Sequence, residues 1–221
     1  MRPSYSGEGE GMMVAEGRRL LEIIARTSLR SEQKPVFRLA SGRMSRHYVD
    51  CKQALSDPEA RDLIGKIIFF DMIEDQSLDA VGGLEIGAYP IATSVSDRIF
   101  RETGRGVRAF VVRKEPKKHG VDSLIAGDAR SGDRTLIVDD VVTTGDSTIQ
   151  AITRARNAGL NVTSVIVLID REEDGGKRNI EAQGVHFTAL FTLADLLRIS
   201  EVHTTTKART EPSGPLQTKT A

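Results

Sequence analysis

Five short apolar runs rich in β-branched residues, at 78–81, 107–112, 135–138, 162–168 and 186–191, recur along the chain with amphipathic stretches between them. Near-continuous runs such as Leu136, Ile137 and Val138 suit strands covered on both faces, as in a parallel sheet. The intervening stretches at 14–27, 58–72, 90–103 and 147–158 are predicted helices. In the last of these, Ile149, Ile152 and Ala155 recur at helical spacing and Gly159 supplies a stop. Asp57 ahead of Pro58 reads as a cap followed by proline at the first helical position. Strand and helix alternating in this way predict an open α/β sheet flanked by helices. Such sheets bind ligands beyond the carboxyl ends of their strands, so the loops there carry the search for function.

The 221 residues fit one domain, expected over 13–202. Residues 1–12 and 203–221 are polar, lack apolar periodicity and are expected to be disordered. Lys plus Arg and Asp plus Glu both number 31, which argues against a globally basic nucleic-acid binder. The single cysteine, Cys51, excludes an intrachain disulfide and a multi-cysteine metal site, and suits a reducing compartment. No apolar run is long enough to span a bilayer, since Asp71 and Glu74 soon follow the run from Ile67 to Phe70. The N-terminus lacks the basic-then-apolar layout of a secretory signal, so the expected location is the cytoplasm.

The densest chemistry lies at 136–148, LIVDDVVTTGDST. An apolar strand runs into Asp139 and Asp140, and a small hydroxylated loop then opens the next helix. Gly145 permits a tight turn there, and successive backbone N–H groups with a helix N-terminus make an anion cradle. Thr143, Thr144, Ser147 and Thr148 add hydroxyl donors. The carboxylates have the wrong sign for phosphate but can accept hydrogen bonds from sugar hydroxyls. A phosphate beside a diol is a sugar phosphate. The plainer alternative is a capped helix after a strand that ends in acids. No Gly-Lys-Ser/Thr follows a four-residue spacer, so this is not a Walker loop.

A second feature follows the strand at 107–112: Arg113, Lys114, Glu115, Pro116, Lys117, Lys118, His119 and Gly120. A charge run is usually a solvated loop. Here it leaves a strand at the edge where the anion cradle is expected. There, concentrated positive charge and a histidine acid would suit a departing pyrophosphate. Further along, Arg171 follows the strand at 162–168 and can hold a carboxylate in a bidentate fork. The segment 37–52, FRLASGRMSRHYVDCK, reads as a turn at Ser41 and Gly42, with Tyr48 and Val49 compatible with ordinary strand core. The glycines of VGGLEIGAYPIA, at 81–92, allow close backbone approach before a helix.

Taken together these motifs resemble the orotate phosphoribosyltransferases, a type I phosphoribosyltransferase family, over about 14–199. The acidic stretch resembles the family's motif for phosphoribosyl pyrophosphate (PRPP), and RKEPKKHG its mobile catalytic loop of pattern R-K-E-x-K-x-H-G. FRLASGRMSRHY resembles its F-x-L-x-S-G-x-x-S-x-x-Y segment around the pyrimidine. The resemblance implies a PRTase-type fold with a small N-terminal hood, and transfer of phosphoribosyl from PRPP to orotate with Mg²⁺ carried by PRPP. Implied PRPP contacts are Arg113, Lys114, Lys117, His119, and the run Asp139, Asp140, Val141, Val142, Thr143, Thr144, Gly145, Asp146 and Ser147. Of these, Lys117, His119, Asp139 and Asp140 are the catalytic set. Thr143, Arg171, Tyr48 and Val49 are the implied orotate contacts. The resemblance also implies a homodimer whose basic loop acts on the neighbouring subunit's site.

Two positions depart from the pattern. Some members carry lysine where this chain has Ala40 and Gly87, which leaves Lys52 or Arg43 to compensate. Asp146 places an acid in a phosphate loop and is expected to point away and cap the helix. The rival readings are a purine or other nucleobase phosphoribosyltransferase, against which the basic loop and Arg171 argue, and a non-catalytic PRPP-sensing regulator. The sensor would usually carry a basic recognition helix, which the sequence lacks.

Overall fold

The structure, a computed structural model, describes residues 7–39, 41–72, 77–115 and 124–210. Helix α1 (Gly7–Ser28) leads into the short strands β1 (Leu29–Ser31), β2 (Phe37–Arg38), β3 (Met44–Ser45) and β4 (His47–Val49). Helices α2 (Lys52–Ser56) and α3 (Pro58–Ile67) follow, the latter running on into a wider π-helical turn, Ile68–Met72. Then come β5 (Ala80–Leu84), α4 (Ala88–Thr103), β6 (Arg108–Val112), β7 (Ile125–Ala126), β8 (Arg134–Val142), α5 (Asp146–Asn157), β9 (Asn161–Asp170), α6 (Gly176–Glu181), β10 (His186–Thr192) and α7 (Leu193–Thr210).

One six-stranded sheet has the order β10-β9-β8-β5-β6-β7. Every pair is parallel except β6 with β7, a hairpin whose register pairs Val112 with Ile125. Chain order reverses between β5 and β8, and the loops after those two strands therefore diverge and leave a crevice at their carboxyl ends. The pleat sends alternate residues to opposite faces. Val81, Leu136, Val138, Ile166 and Leu168 pack on one side with Leu20 and Ile24 of α1, Ile64 of α3, and Ile91 and Val95 of α4. Ala80, Ile137, Val165 and Val167 pack on the other with Ile152 and Ala155 of α5 and Ile180 of α6. Each buried Val, Leu or Ile among them stabilises the fold by roughly 1.5–3 kcal/mol, and the two clusters clamp the sheet that carries the loops. Asp57 caps α3 as the sequence predicts, its carboxylate accepting the Glu59 N–H at 2.8 Å.

The predicted parallel α/β sheet is present, and the hood consists of two two-stranded pieces, β1 with β4 and β2 with β3. Four boundaries differ from the sequence reading. β5 continues through Gly82 and Gly83, where a side chain would run into Phe110 and into the Val138 backbone. The close approach those two glycines allow is to the neighbouring strands β6 and β8. β8 continues through Asp139 and Asp140 to Val142, because β9 pairs with it along that length. The helical ends also pass both predicted domain limits: α1 starts at Gly7 and α7 runs to Thr210, with no proline between Ile199 and Thr210 to stop it. The rest of both expected tails lies outside the described residues. Among the described residues no helix is long and apolar enough to cross a membrane.

Candidate active site at the β5–β8 crevice

Because Asp139 and Asp140 are consecutive in a strand, they leave opposite faces of β8. Asp139 faces α5, where its Oδ2 accepts a 2.7 Å bond from the Thr148 hydroxyl and its Oδ1 accepts the Asp140 N–H at 2.9 Å. It is buried, and burial first, then the neighbouring Asp140 charge, push its carboxyl up to about 7 from an ordinary 3.8. Asp140 is half-buried and turns toward Gly87, where a side chain would overlap its carboxylate.

Both acids line an open cleft of about 490 Å³ with Lys52, Leu84, Glu85, Ile86, Gly87, Lys114 and Ser147. The loop from Thr143 to Gly145 leads from β8 into α5, whose Ser147 is in that lining. Gly145 takes φ 85°, a left-handed value that L side chains rarely adopt, and α5 starts at the next residue. The first N–H groups of a helix lack intrahelical partners and face outward as anion donors. α6 braces this loop from behind: Asn179 Nδ2 donates to the Thr144 carbonyl at 3.0 Å, and a side chain on Gly176 would strike the Thr143 carbonyl. Asp146 is exposed in the first turn of α5, as expected, but the helix has no side-chain cap. The Thr144 hydroxyl instead accepts the Asp146 N–H in a long, 3.4 Å contact. The acid therefore acts on the helix by charge alone. Val141 is half-buried and Val142 is core.

The basic loop springs from the same rim. The Lys114 N–H donates to Glu85 Oε1 at 2.7 Å, tying the loop root to the segment after β5, and the peptide between Glu85 and Ile86 is cis. Arg154 of α5 donates to the carbonyls of Arg113 and Lys114. Lys117 and His119 lie outside the described residues, as does Ala40.

Arg171 follows β9 and is 4% exposed. Its backbone N–H extends the ladder to the Val142 carbonyl at 3.0 Å. Nη2 of its guanidinium reaches the hood, donating to Ser45 Oγ at 3.3 Å and the His47 carbonyl at 3.2 Å, while Nε donates to Glu173 at 3.0 Å. The guanidinium thus stands between hood and sheet. Arg43, the other cation considered for compensation, is engaged by Glu173 at 2.7 Å. Burial, then Arg46 and Arg171, hold the His47 imidazole below its ordinary value. Tyr48 is partly exposed and stacks on Phe37 with centroids 5.6 Å apart, whereas the Val49 side chain is buried in the core.

The sequence reading did not single out Glu85, Glu173 or Asn179, and it took Thr148 for a loop hydroxyl donor rather than the buried partner of Asp139. Only Glu85, in the glycine-rich segment, and Glu173, two residues past Arg171, stood in stretches already marked.

The Phosphoribosyl transferase domain family matches residues 53–188. The orotate phosphoribosyltransferase of Aquifex aeolicus is 42% identical over 186 residues, covering 84% of this chain and 100% of the relative. The Mycobacterium tuberculosis orotate phosphoribosyltransferase, solved with PRPP, superposes with a TM-score of 0.65 at 34% identity, over 82% of this chain and 98% of that one. The enzyme of the same name from Aeropyrum pernix superposes with a TM-score of 0.67 at 28% identity, over 83% and 98% of the two chains.

Proposed function

The chain belongs to the orotate phosphoribosyltransferase family, and we infer that it transfers the 5-phosphoribosyl group of PRPP to orotate, giving orotidine 5′-monophosphate and pyrophosphate in pyrimidine biosynthesis. One observation carries the reading: an acidic pair, a helix-terminal anion cradle and the root of a basic loop all open on a single cleft at the topological switch point.

In this reading the 5′-phosphate lies on the N–H groups of the Thr143–Ser147 loop. Asp140, with Asp139 behind it, accepts the ribose hydroxyls. The pyrophosphate lies toward Gly87 and Lys114, and Arg113, Lys117 and His119 are supplied to it by the neighbouring subunit's loop. Orotate N1 attacks ribose C1′ as the bond from C1′ to the pyrophosphate oxygen breaks, and the electron pair leaves with pyrophosphate. The positive charge that builds on the ribose ring favours electrostatics and positioning over any protein nucleophile. Arg171, with Thr143, Tyr48 and the backbone at Val49, receives orotate. A buried guanidinium beside the hood suits a carboxylated base, and purines carry no carboxylate.

Mg²⁺ would reach the site on the pyrophosphate, a chelating oxygen ligand, with Glu85 and Asp140 as the hard oxygen donors alongside. It would neutralise the phosphate charge during departure. Among the described residues no cluster of three or more His, Cys, Asp or Glu side chains is disposed to hold a metal by itself. We also propose a cytoplasmic homodimer in which the loop at 113–120 serves the partner's site. The exposed apolar side chains of Ile86 and Tyr89 at the cleft rim support a covering partner. The activity is tested by pyrophosphate release from PRPP that requires both orotate and Mg²⁺. Release that ignores orotate, or follows adenine instead, contradicts it.

A further inference from the structure

We propose that Lys52, oriented by Asp50, is a substrate-contacting cation of the cleft that binds the pyrophosphate end of PRPP; this rests on the transferase reading above. The turn that presents it is built for the purpose. Val49 ends β4 in the core, and Cys51 is fully buried, which fixes the chain on either side of Asp50. Asp50 Oδ1 then accepts both the Lys52 backbone N–H at 3.2 Å and its Nζ at 2.9 Å. One carboxylate oxygen therefore holds both the backbone and the ammonium of the same residue, and Lys52 lines the cleft together with Asp140, Gly87 and Lys114.

Charge gives the placement its meaning. The cleft lining carries Glu85, Asp139 and Asp140 against Lys52 and Lys114. The lining has one more acid than base even with both lysines charged, so losing either charge leaves a wall still more hostile to pyrophosphate. The hydrogen bond that Lys52 donates to Asp50, and then the charges of Asp140 and Asp50, raise the Lys52 pKa and keep it protonated. Gly87 offers the pyrophosphate only backbone, because a side chain there would overlap the Asp140 carboxylate. The cation on that side must come from elsewhere, and Lys52 at the start of α2 supplies it. An exposed Lys–Asp pair contributes little to folding, so removing the lysine tests ligand binding rather than the fold.

Lys52→Met and Lys52→Arg are compared with wild type by steady-state kinetics and by calorimetric titration with Mg²⁺–pyrophosphate. The expected result for Lys52→Met is a rise of about tenfold in KM for PRPP and in Kd for pyrophosphate. KM for orotate stays within about twofold and the melting temperature is unchanged. Lys52→Arg keeps most of the affinity, because it keeps the charge. Unchanged pyrophosphate affinity in Lys52→Met, or an equal rise in both KM values, overturns the proposal. Failure of the transferase reading gives a different pattern: wild type and Lys52→Met still differ in pyrophosphate affinity, but neither consumes orotate.

Discussion

A methyl group built on Gly87 would stand 2.6 Å from Cγ of Asp140. The two residues come from different segments of the crevice, one just before α4 and one near the end of β8. The absence of a side chain at 87 is therefore what lets the Asp140 carboxylate occupy its place. Gly87→Ala should rotate that carboxylate, since the far end of an aspartate yields more easily than the backbone. We expect kcat/KM for PRPP to fall about tenfold, equivalent to ~1.4 kcal/mol, with little change in melting temperature. Unimpaired turnover in Gly87→Ala would show that the Asp140 position is not critical.

The buried Asp139 carboxyl makes stability depend on pH. Its folded-state pKa is raised, to about 7, so between the ordinary carboxyl value of 3.8 and that point the folded protein binds more protons than the unfolded chain. This contribution is present at acid pH and is lost as pH rises through 7. The melting temperature of the free protein should therefore rise as pH falls from 8 toward 5.5, and the Asp139→Asn variant should lose that part of the slope. Identical slopes in the two proteins would contradict it.

Arg171 has two tasks in this account, and they separate experimentally. Truncation to alanine leaves the bonds to Ser45, His47 and Glu173 unmade, so it should cost stability, at roughly 1–3 kcal/mol for a buried unsatisfied group. Lysine at 171 keeps a charge without the planar fork and should raise KM for orotate far more than KM for PRPP. Parallel increases in both would remove Arg171 from the orotate subsite.

The division of labour between subunits is tested by mixing. A Lys117→Ala chain and an Asp139→Asn/Asp140→Asn chain should each be inactive alone. After exchange, about half the dimers are hybrids with one intact site, so roughly a quarter of wild-type activity should return. Verified exchange with no recovery would mean that the loop works on its own chain's site.

These tests draw unequally on what the sequence made legible. The runs around Ile137 and Val167 are long, β-branched and covered on both faces, and they marked the sheet and the loops beyond it. The acidic pair stood out for the same reason, as charge directly after such a run. Charge was taken as the strand's end, however, and the strand went on: Asp139 is buried against Thr148, a partner nine residues away that no local pattern indicates. The hood strands span two or three residues each and give no periodicity to read. α6 has six residues, with Ile180 its one buried large apolar side chain, so its bracing of the Thr143–Gly145 loop was also out of reach. Lys52 was only one of two open candidates. Its position beside Asp140, and the engagement of Arg43 by Glu173, depend on contacts between distant segments.

The most direct measurement is the loss of orotate absorbance when the protein is supplied with PRPP and Mg²⁺, with adenine, hypoxanthine and uracil offered in parallel. The account predicts stoichiometric conversion of orotate to its 5′-monophosphate, arrest by EDTA without a shift in the protein's melting temperature, and no comparable turnover of the other bases. Inert orotate beside rapid consumption of a purine would contradict it.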